Sequence, residues 1–222
     1  MMIQLLHNVT FLQNYYHMLI NFCLKFTFVI KLYCTFVVLH NYTYIMTYFL
    51  ETSELGFRNW LESDFHLAKK LWSNPDVTHT LFEDTQLSDI DIQNLLSTEI
   101  TTLKKFGVQY WPVFKIENNE FIGVCGLRPY KLFEGIFELS IQILPEHWHK
   151  GYGYRASEAI IEYTINTLNI KSIFAGHHPQ NVSSANLLKK LGFRFTHMEY
   201  YPPTGVNQHS YILNADERPE MT

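Results

Sequence analysis

The sequence predicts a mixed α/β domain in which a central mixed sheet of six to seven strands carries helices on both faces. Three observations predict it. Apolar and polar residues alternate in several short stretches, as in Phe137, Leu139, Ile141 and Ile143 against Glu138, Ser140 and Gln142, the period of a half-buried strand. Elsewhere apolar residues recur at three- and four-residue spacing, as Ile92, Leu95, Leu96 and Ile100 do, the period of a helix packed on one side. The stretches follow the order β, α, α, β, β, β, α, β, α, β, β, which fits a mixed sheet covered on both sides.

Each element has its own signals. Leu55 to Trp60 reads as a first strand, and Glu62 to Ser73 as a helix that Asn74 and Pro75 close. Ser88 is placed to cap a longer helix from Asp89 to Phe106, which Gly107 ends. Tyr110 to Glu117 and Glu120 to Tyr130 flank Asn118 and Asn119, a hairpin signal. Phe137 to Leu144 is the next strand, stopped by Pro145. A turn with Gly151 and Gly153 leads into a helix whose Ala156, Ala159, Ile160 and Tyr163 share one face. Ser172 to His177 then completes a βαβ unit with a parallel pair. A short helix, Ser184 to Leu191, precedes a final antiparallel pair, Phe193 to Tyr200 and His209 to Leu213.

Charge divides the 222 residues into two parts. Residues 1–45 contain no acid, no Gly and no Pro, and their formal charges are Lys25 and Lys31 alone. All 21 acidic residues lie in 46–222, so that part is net acidic and a poor candidate for nucleic-acid binding. Its length suits one domain with a sizeable core. Leu19 to Leu39 has the length of a bilayer span, but each lysine inside it would cost about 2.5 to 3.5 kcal/mol near the bilayer centre. Three readings of 1–45 stay open: a start assigned upstream of Met46, a weak anchor, or an ordered element. The sparse cysteines, Cys23, Cys34 and Cys125, fit a reducing compartment, so a cytoplasmic protein without membrane attachment is expected. Cys125 reads as a core residue.

The turn before the glycine-rich helix is the most informative feature. Unpartnered N–H groups at a helix start, with the helix dipole, favour a bound phosphate, and Gly151 and Gly153 let a ligand approach the backbone. Gly151, Gly153 and Ala156 also match the dinucleotide fingerprint G-x-G-x-x-A. That reading fails on context, because antiparallel strands come first and the next strand, SIFAGHH, has no acid for a ribose. The pairs His147 with His149 and His177 with His178 lack the Cys or carboxylate that would complete a metal site, so no metal is expected.

Four stretches carry a resemblance from Phe49 to Leu213. LETSELGFRNWLESDFHLAKKLWSNPDV, GVCGLRPY, ELSIQILPEHWHKGYGYRASEA and HPQNVSSANLLKKLGFRF resemble, in order and spacing, the motifs of the GNAT superfamily of acetyl-CoA-dependent N-acetyltransferases, in its RimJ/RimL-like branch. The resemblance implies the GNAT fold, with strands splayed at the cofactor site, and acetyl-CoA as co-substrate. Ile141, Gln142 and Ile143 would offer backbone groups to the pantetheine arm. His149, Lys150, Gly151, Tyr152, Gly153 and Tyr154 would hold the pyrophosphate. Trp148 matches a tryptophan common in that branch, and His149 stands where glycine is common. Asn181 matches an asparagine that bonds the cofactor arm, and it is equally placed to cap the following helix. Ser184 matches a serine near the thiol, while Leu188 occupies the place of a tyrosine that protonates the leaving thiolate in many members.

Acetyl transfer to an amine needs a base, because most amines are charged at neutral pH. Glu138 is the first candidate, with a strand carboxylate paired to Arg128 as its plain structural alternative. His178 is the second candidate, and Ser184 is placed to support the thiolate. Trp111, Tyr130, Tyr200 and Tyr201 would line an acceptor cleft or else belong to the core, and YYPPTGVN would cover it. The expected partner is an amine acceptor, a protein N-terminus or a small molecule, met by a monomer or homodimer. The alternative from another class is a CoA-binding module without turnover.

Overall fold

In a computed structural model, residues 47–82 and 86–217 are described, and the N-terminal stretch 1–45 lies outside them. Eight strands form one sheet in the order β1-β2-β3-β4-β5-β6-β8-β7. They are β1 Leu50–Glu51, β2 Leu55–Phe57, β3 Tyr110–Lys115, β4 Glu120–Lys131, β5 Ile136–Ile143, β6 Ser172–His177, β7 Arg194–Tyr201 and β8 Val206–Asn214. The helices are α1 Phe65–Trp72, α2 Pro75–Thr78, α3 Asp89–Phe106, α4 Tyr152–Asn166 and α5 Val182–Lys190. The strand count exceeds the expected six to seven because β1 is a two-residue edge against β2, too short for any periodicity to reveal. The mixed sheet with helices on both faces is the architecture that the sequence predicts.

Local chemistry explains the element ends. Ser88 Oγ accepts from the Asp91 N–H at 3.2 Å while Asp91 returns a bond to the Ser88 N–H at 2.9 Å, a capping box that starts α3. Gly107 ends it at φ +72°, donating to Leu103 O at 2.8 Å. Asn119 turns the β3–β4 hairpin at φ +55°. At the first strand, Arg58 leaves the ladder and forms a buried ion pair with Asp64 at 2.6 Å. That carboxylate also takes the Leu61 N–H at 2.8 Å and so fixes the turn into α1.

The sheet separates two cores. On one face α4 and α5 pack Ala156, Ile160 and Leu188 against Ile122, Leu127 and Ile173, with Cys125 buried among them as expected. On the other, α1 and α3 pack Leu71, Trp72, Ile92 and Leu96 against Tyr110, Phe121 and Val124. All neighbouring strands are antiparallel except β5 and β6, which run parallel. Their pairing is brief: Ile136, Phe137 and Glu138 face Ser172, Ile173 and Phe174, and there it stops. Beyond that point β5 stays paired with β4 as far as Ile143, so the sheet forks between β5 and β6. Gly123, at φ +144°, allows the close approach on the β4 side, where a methyl group would stand 2.1 Å from Gln142 O.

Candidate active site

The fork opens into a cavity of about 730 Å³. Residues Glu138 to Ile143 of β5 form one wall, and the end of β6 with the start of α5 forms the other. The backbone along β5 alternates in direction. Leu144 N–H bonds Ile122 O at 2.9 Å on β4, so Leu139, Ile141 and Ile143 turn their amides and carbonyls to the open side. This is an unoccupied strand edge, the kind of surface to which an extended amide-bearing chain adds. Trp148 already takes part of it, since its indole N–H donates to Ile143 O at 2.6 Å. Gln142 sends its side chain to the other face, where its Oε1 accepts from Trp72 Nε1 at 2.9 Å.

At one end of that edge lies the turn from His149 to Tyr154. Gly151 O accepts from the Arg155 N–H at 3.2 Å, so the N–H groups of Tyr152 and Gly153 lie ahead of the helix's own ladder. Gly151 has φ +79°, and His149 has φ +57°, a left-handed conformation that accounts for the glycine common at its place in the resembled motif. His149, Gly151, Tyr152, Gly153 and Tyr154 all line the cavity. Lys150 does not. Its ammonium turns back to Glu146 O at 2.7 Å, and Arg155 holds Lys150 O at 3.0 Å from the other side. The lysine's ammonium is therefore engaged away from the cavity wall.

Asn181 and Ser184 stand together across the cavity. Asn181 Oδ1 accepts from the Ser184 N–H at 3.0 Å and caps α5, so the structural role holds, and its amide nitrogen is left for other bonds. Leu188 is buried behind them and lines the cavity with an alkyl chain where a tyrosine would bring a hydroxyl. His178 also lines it, with its Nδ1 accepting from the Gln180 N–H at 3.2 Å. His177 lines it too, its Nδ1 donating to His178 O at 2.9 Å and its Nε2 lying 3.4 Å from the Tyr211 hydroxyl. Among the described residues no group of three or more His, Cys, Asp or Glu is placed to hold a metal.

Glu138 sits at the base of the fork, the last β5 residue paired with β6. It is half-buried, open to the cavity on one side, and makes no hydrogen bond or ion pair with the described residues. Burial pushes its carboxyl above the ordinary carboxylate value, Arg128 opposes this, and Glu199 adds to it. The structural alternative, a pair with Arg128, is not what forms. Arg128 faces Glu138 across the β4–β5 ladder, yet its guanidinium binds Glu99 on α3 and stacks over the Tyr110 ring at 4.2 Å. Glu99, wholly buried, also accepts the Tyr110 N–H at 2.8 Å. The arginine is thus neutralised from behind, and Glu138 keeps a free carboxylate edge.

The aromatic residues divide. Trp111 is 1% exposed and belongs to the core, and Tyr200 is 61% exposed and lies outside the cavity. Tyr130 stacks on Phe174 at 3.9 Å and donates to Glu199 at 2.5 Å. Tyr201 alone of the four lines the cavity, joined there by Tyr110. Tyr110, Trp72 and Gln208, which line the cavity, and Glu99, which holds Arg128, are parts of the site that sequence reasoning missed. Glu99 did carry a signal, an acid four residues from Leu95 and one before Ile100, near the apolar side of its helix.

Comparison with known proteins agrees with this geometry. The family described as "Acetyltransferase (GNAT) domain" matches residues 54–194, more than half of the chain. The chain is 28% identical over 146 residues to the uncharacterised N-acetyltransferase p20 of Bacillus licheniformis, covering 65% of this chain and 82% of that protein. Its fold is similar to a GNAT-family acetyltransferase from Bacillus anthracis, with a TM-score of 0.66 and 21% identity over 76% of this chain and 99% of that one. It is similar also to spermidine N-acetyltransferase from Vibrio cholerae, solved with CoA and spermine, with a TM-score of 0.64 and 19% identity over 75% and 98%. The ribosomal L7/L12 acetyltransferase RimL, solved with CoA, shares the fold at a TM-score of 0.64 and 14% identity over 75% and 97%. With the forked sheet, the glycine turn at the start of α4 and this match over most of its folded length, the chain belongs to the GNAT acetyltransferase family and is an acyltransferase.

Proposed function

We propose that this enzyme transfers an acetyl group from acetyl-CoA to a primary amine by direct attack while both substrates are bound. The observation that carries the reading is the fork: an open strand edge at Leu139–Ile143 runs from the carboxylate of Glu138 to the start of α4 at Tyr152 and Gly153. The residues fit the co-substrate. The edge offers backbone partners to an arm that carries amides, and the α4 start offers them to a diphosphate. Asn181 and Ser184 face the same channel. Acetyl-CoA supplies an activated acyl carbonyl, and the chain supplies the rest.

Glu138 takes the proton of the ammonium so that a neutral nitrogen can attack, which its raised proton affinity suits. Open-edge N–H groups are placed to polarise the carbonyl oxygen. Ser184 supports the departing sulfur through its hydroxyl and its place in the first turn of α5. The net change moves acetyl from sulfur to nitrogen and releases a free thiol. Acetyl-CoA binding in a cytoplasmic, reducing setting is consistent with the buried free thiol of Cys125.

A second reading, a CoA-binding module without turnover, draws on the alkyl side chain of Leu188 at the sulfur end. One assay separates the two: acetyl-CoA with a panel of peptides, polyamines and aminoglycosides, followed by free-thiol release. Thiol release that depends on an amine is expected. CoA-dependent thermal stabilisation with no release on any amine would favour the module.

A further inference from the structure

One polar side chain in the cavity has no work in the mechanism above. Gln208, on β8, is 8% exposed, lines the cavity and makes no side-chain hydrogen bond with the described residues. Its amide is open to the cavity rather than sealed in the core, so a ligand seated there can supply its hydrogen-bond partners. Its position is defined by Gly176 on β6, where a methyl group would come within 3.0 Å of Gln208 Oε1 and 3.6 Å of the Phe174 ring. Glycine at 176 is what lets the amide lie across the strand.

That strand relates Gln208 to the base. Phe174 is the register partner of Glu138, and Gly176 is two residues further along the same face, about 7 Å on by strand rise. The amide therefore borders the fork from the β6 side while Glu138 borders it from β5. A substrate whose amine sits at Glu138 would extend along this face of the sheet towards the amide over Gly176. A neutral amide both gives and accepts a hydrogen bond, whereas a second ammonium would leave its N–H₂ unmatched and a methylene chain would leave both atoms unmatched.

We propose that Gln208 determines acceptor specificity, pairing with a neutral group, an amide or a hydroxyl, carried close to the reacting nitrogen. The inference rests on the amine-acetylating reading above. Sites that hydrogen-bond a substrate group discriminate strongly against analogues lacking it, because the buried partner is then stranded. The chain is expected to prefer amines bearing such a group over plain alkyl amines and diamines of equal length.

The test compares kcat/KM of the full chain and Gln208→Leu for alaninamide, 2-aminoethanol, propylamine and butane-1,4-diamine. Reading each amine as variant over wild type cancels the amines' own basicity. The variant is expected to lose about tenfold on alaninamide, 2-aminoethanol or both and to stay within about twofold on the two alkyl amines, the size of one neutral hydrogen bond. Loss on alaninamide alone identifies an amide partner, and loss on 2-aminoethanol alone a hydroxyl. Equal losses on all four amines, or none, overturn the proposal while leaving acetyl transfer intact. Gly176→Ala, which crowds the same amide without removing it, is expected to shift the ratios in the same direction and serves if Gln208→Leu fails to fold. No thiol release by the wild type with any amine, and no thermal shift with CoA, would overturn the acetyltransferase reading and this proposal with it.

Discussion

At the scale of single residues, Glu99 binds Arg128, the cation beside Glu138, and Glu138 itself forms no ion pair with the described residues. Glu138 has raised proton affinity chiefly because it is buried. In the proposed role of base it must be deprotonated, so activity is expected to rise with pH through a value above the usual carboxylate range. Glu138→Gln is expected to lower kcat by about 10²-fold or more at neutral pH, with partial recovery at high pH where amines are already neutral. An unchanged pH–rate profile would refute the assignment. The same shift has a stability consequence of opposite sense. A carboxyl whose folded value is raised contributes stability while protonated and loses it as pH rises through that value. Glu138→Gln is therefore expected to raise Tm at neutral pH, the difference closing below pH 4.5, the ordinary value, where both states of the wild type are protonated. Glu99 behaves differently. Its removal strands Arg128 and the Tyr110 N–H, so Glu99→Ala is expected to cost about 3–5 kcal/mol in denaturant unfolding.

At the scale of elements, sequence signals were strongest where the causes are local. The capping residue Ser88, the stop at Gly107, the Asn119 turn and the strand–turn–helix from Phe137 onward are all written within a few neighbouring residues, and all form. The two-residue β1 and the four-residue α2 are too short for a period, so they were invisible. Partnerships between elements were equally hidden. Nothing near Arg128 announces Glu99 on α3, and nothing near Gln142 announces Trp72 on α1. Lys150 looked suited to an anion by its place in the chain, but a carbonyl four residues back, Glu146 O, captures it. The cap of α5 joins local and functional roles. Asn181→Ala is expected to cost about 1 kcal/mol as a lost cap, and Asn181→Ser, which keeps the cap, should recover that stability. If the asparagine amide also binds the co-substrate, the serine variant will still show a raised KM for acetyl-CoA with kcat little changed.

At the scale of the whole molecule, the sheet is two half-sheets. Strands β1–β5 form one and β6, β8 and β7 the other, joined by three residue pairs of a parallel seam. Such a seam is a natural boundary for partial opening, because few ladder bonds must break for the halves to part there. Hydrogen exchange is expected to report it: in the free protein, amides of β6 and β8 should exchange faster than those of β3 and β4. With CoA bound the two sets should converge. The Leu144 amide, already bonded to Ile122, provides the internal control and should not respond. The open edge thereby acquires a mechanical meaning. On the proposed binding mode, a ligand lying along it would act as a removable stitch between two sheets, and each release of CoA is expected to loosen the molecule along one line.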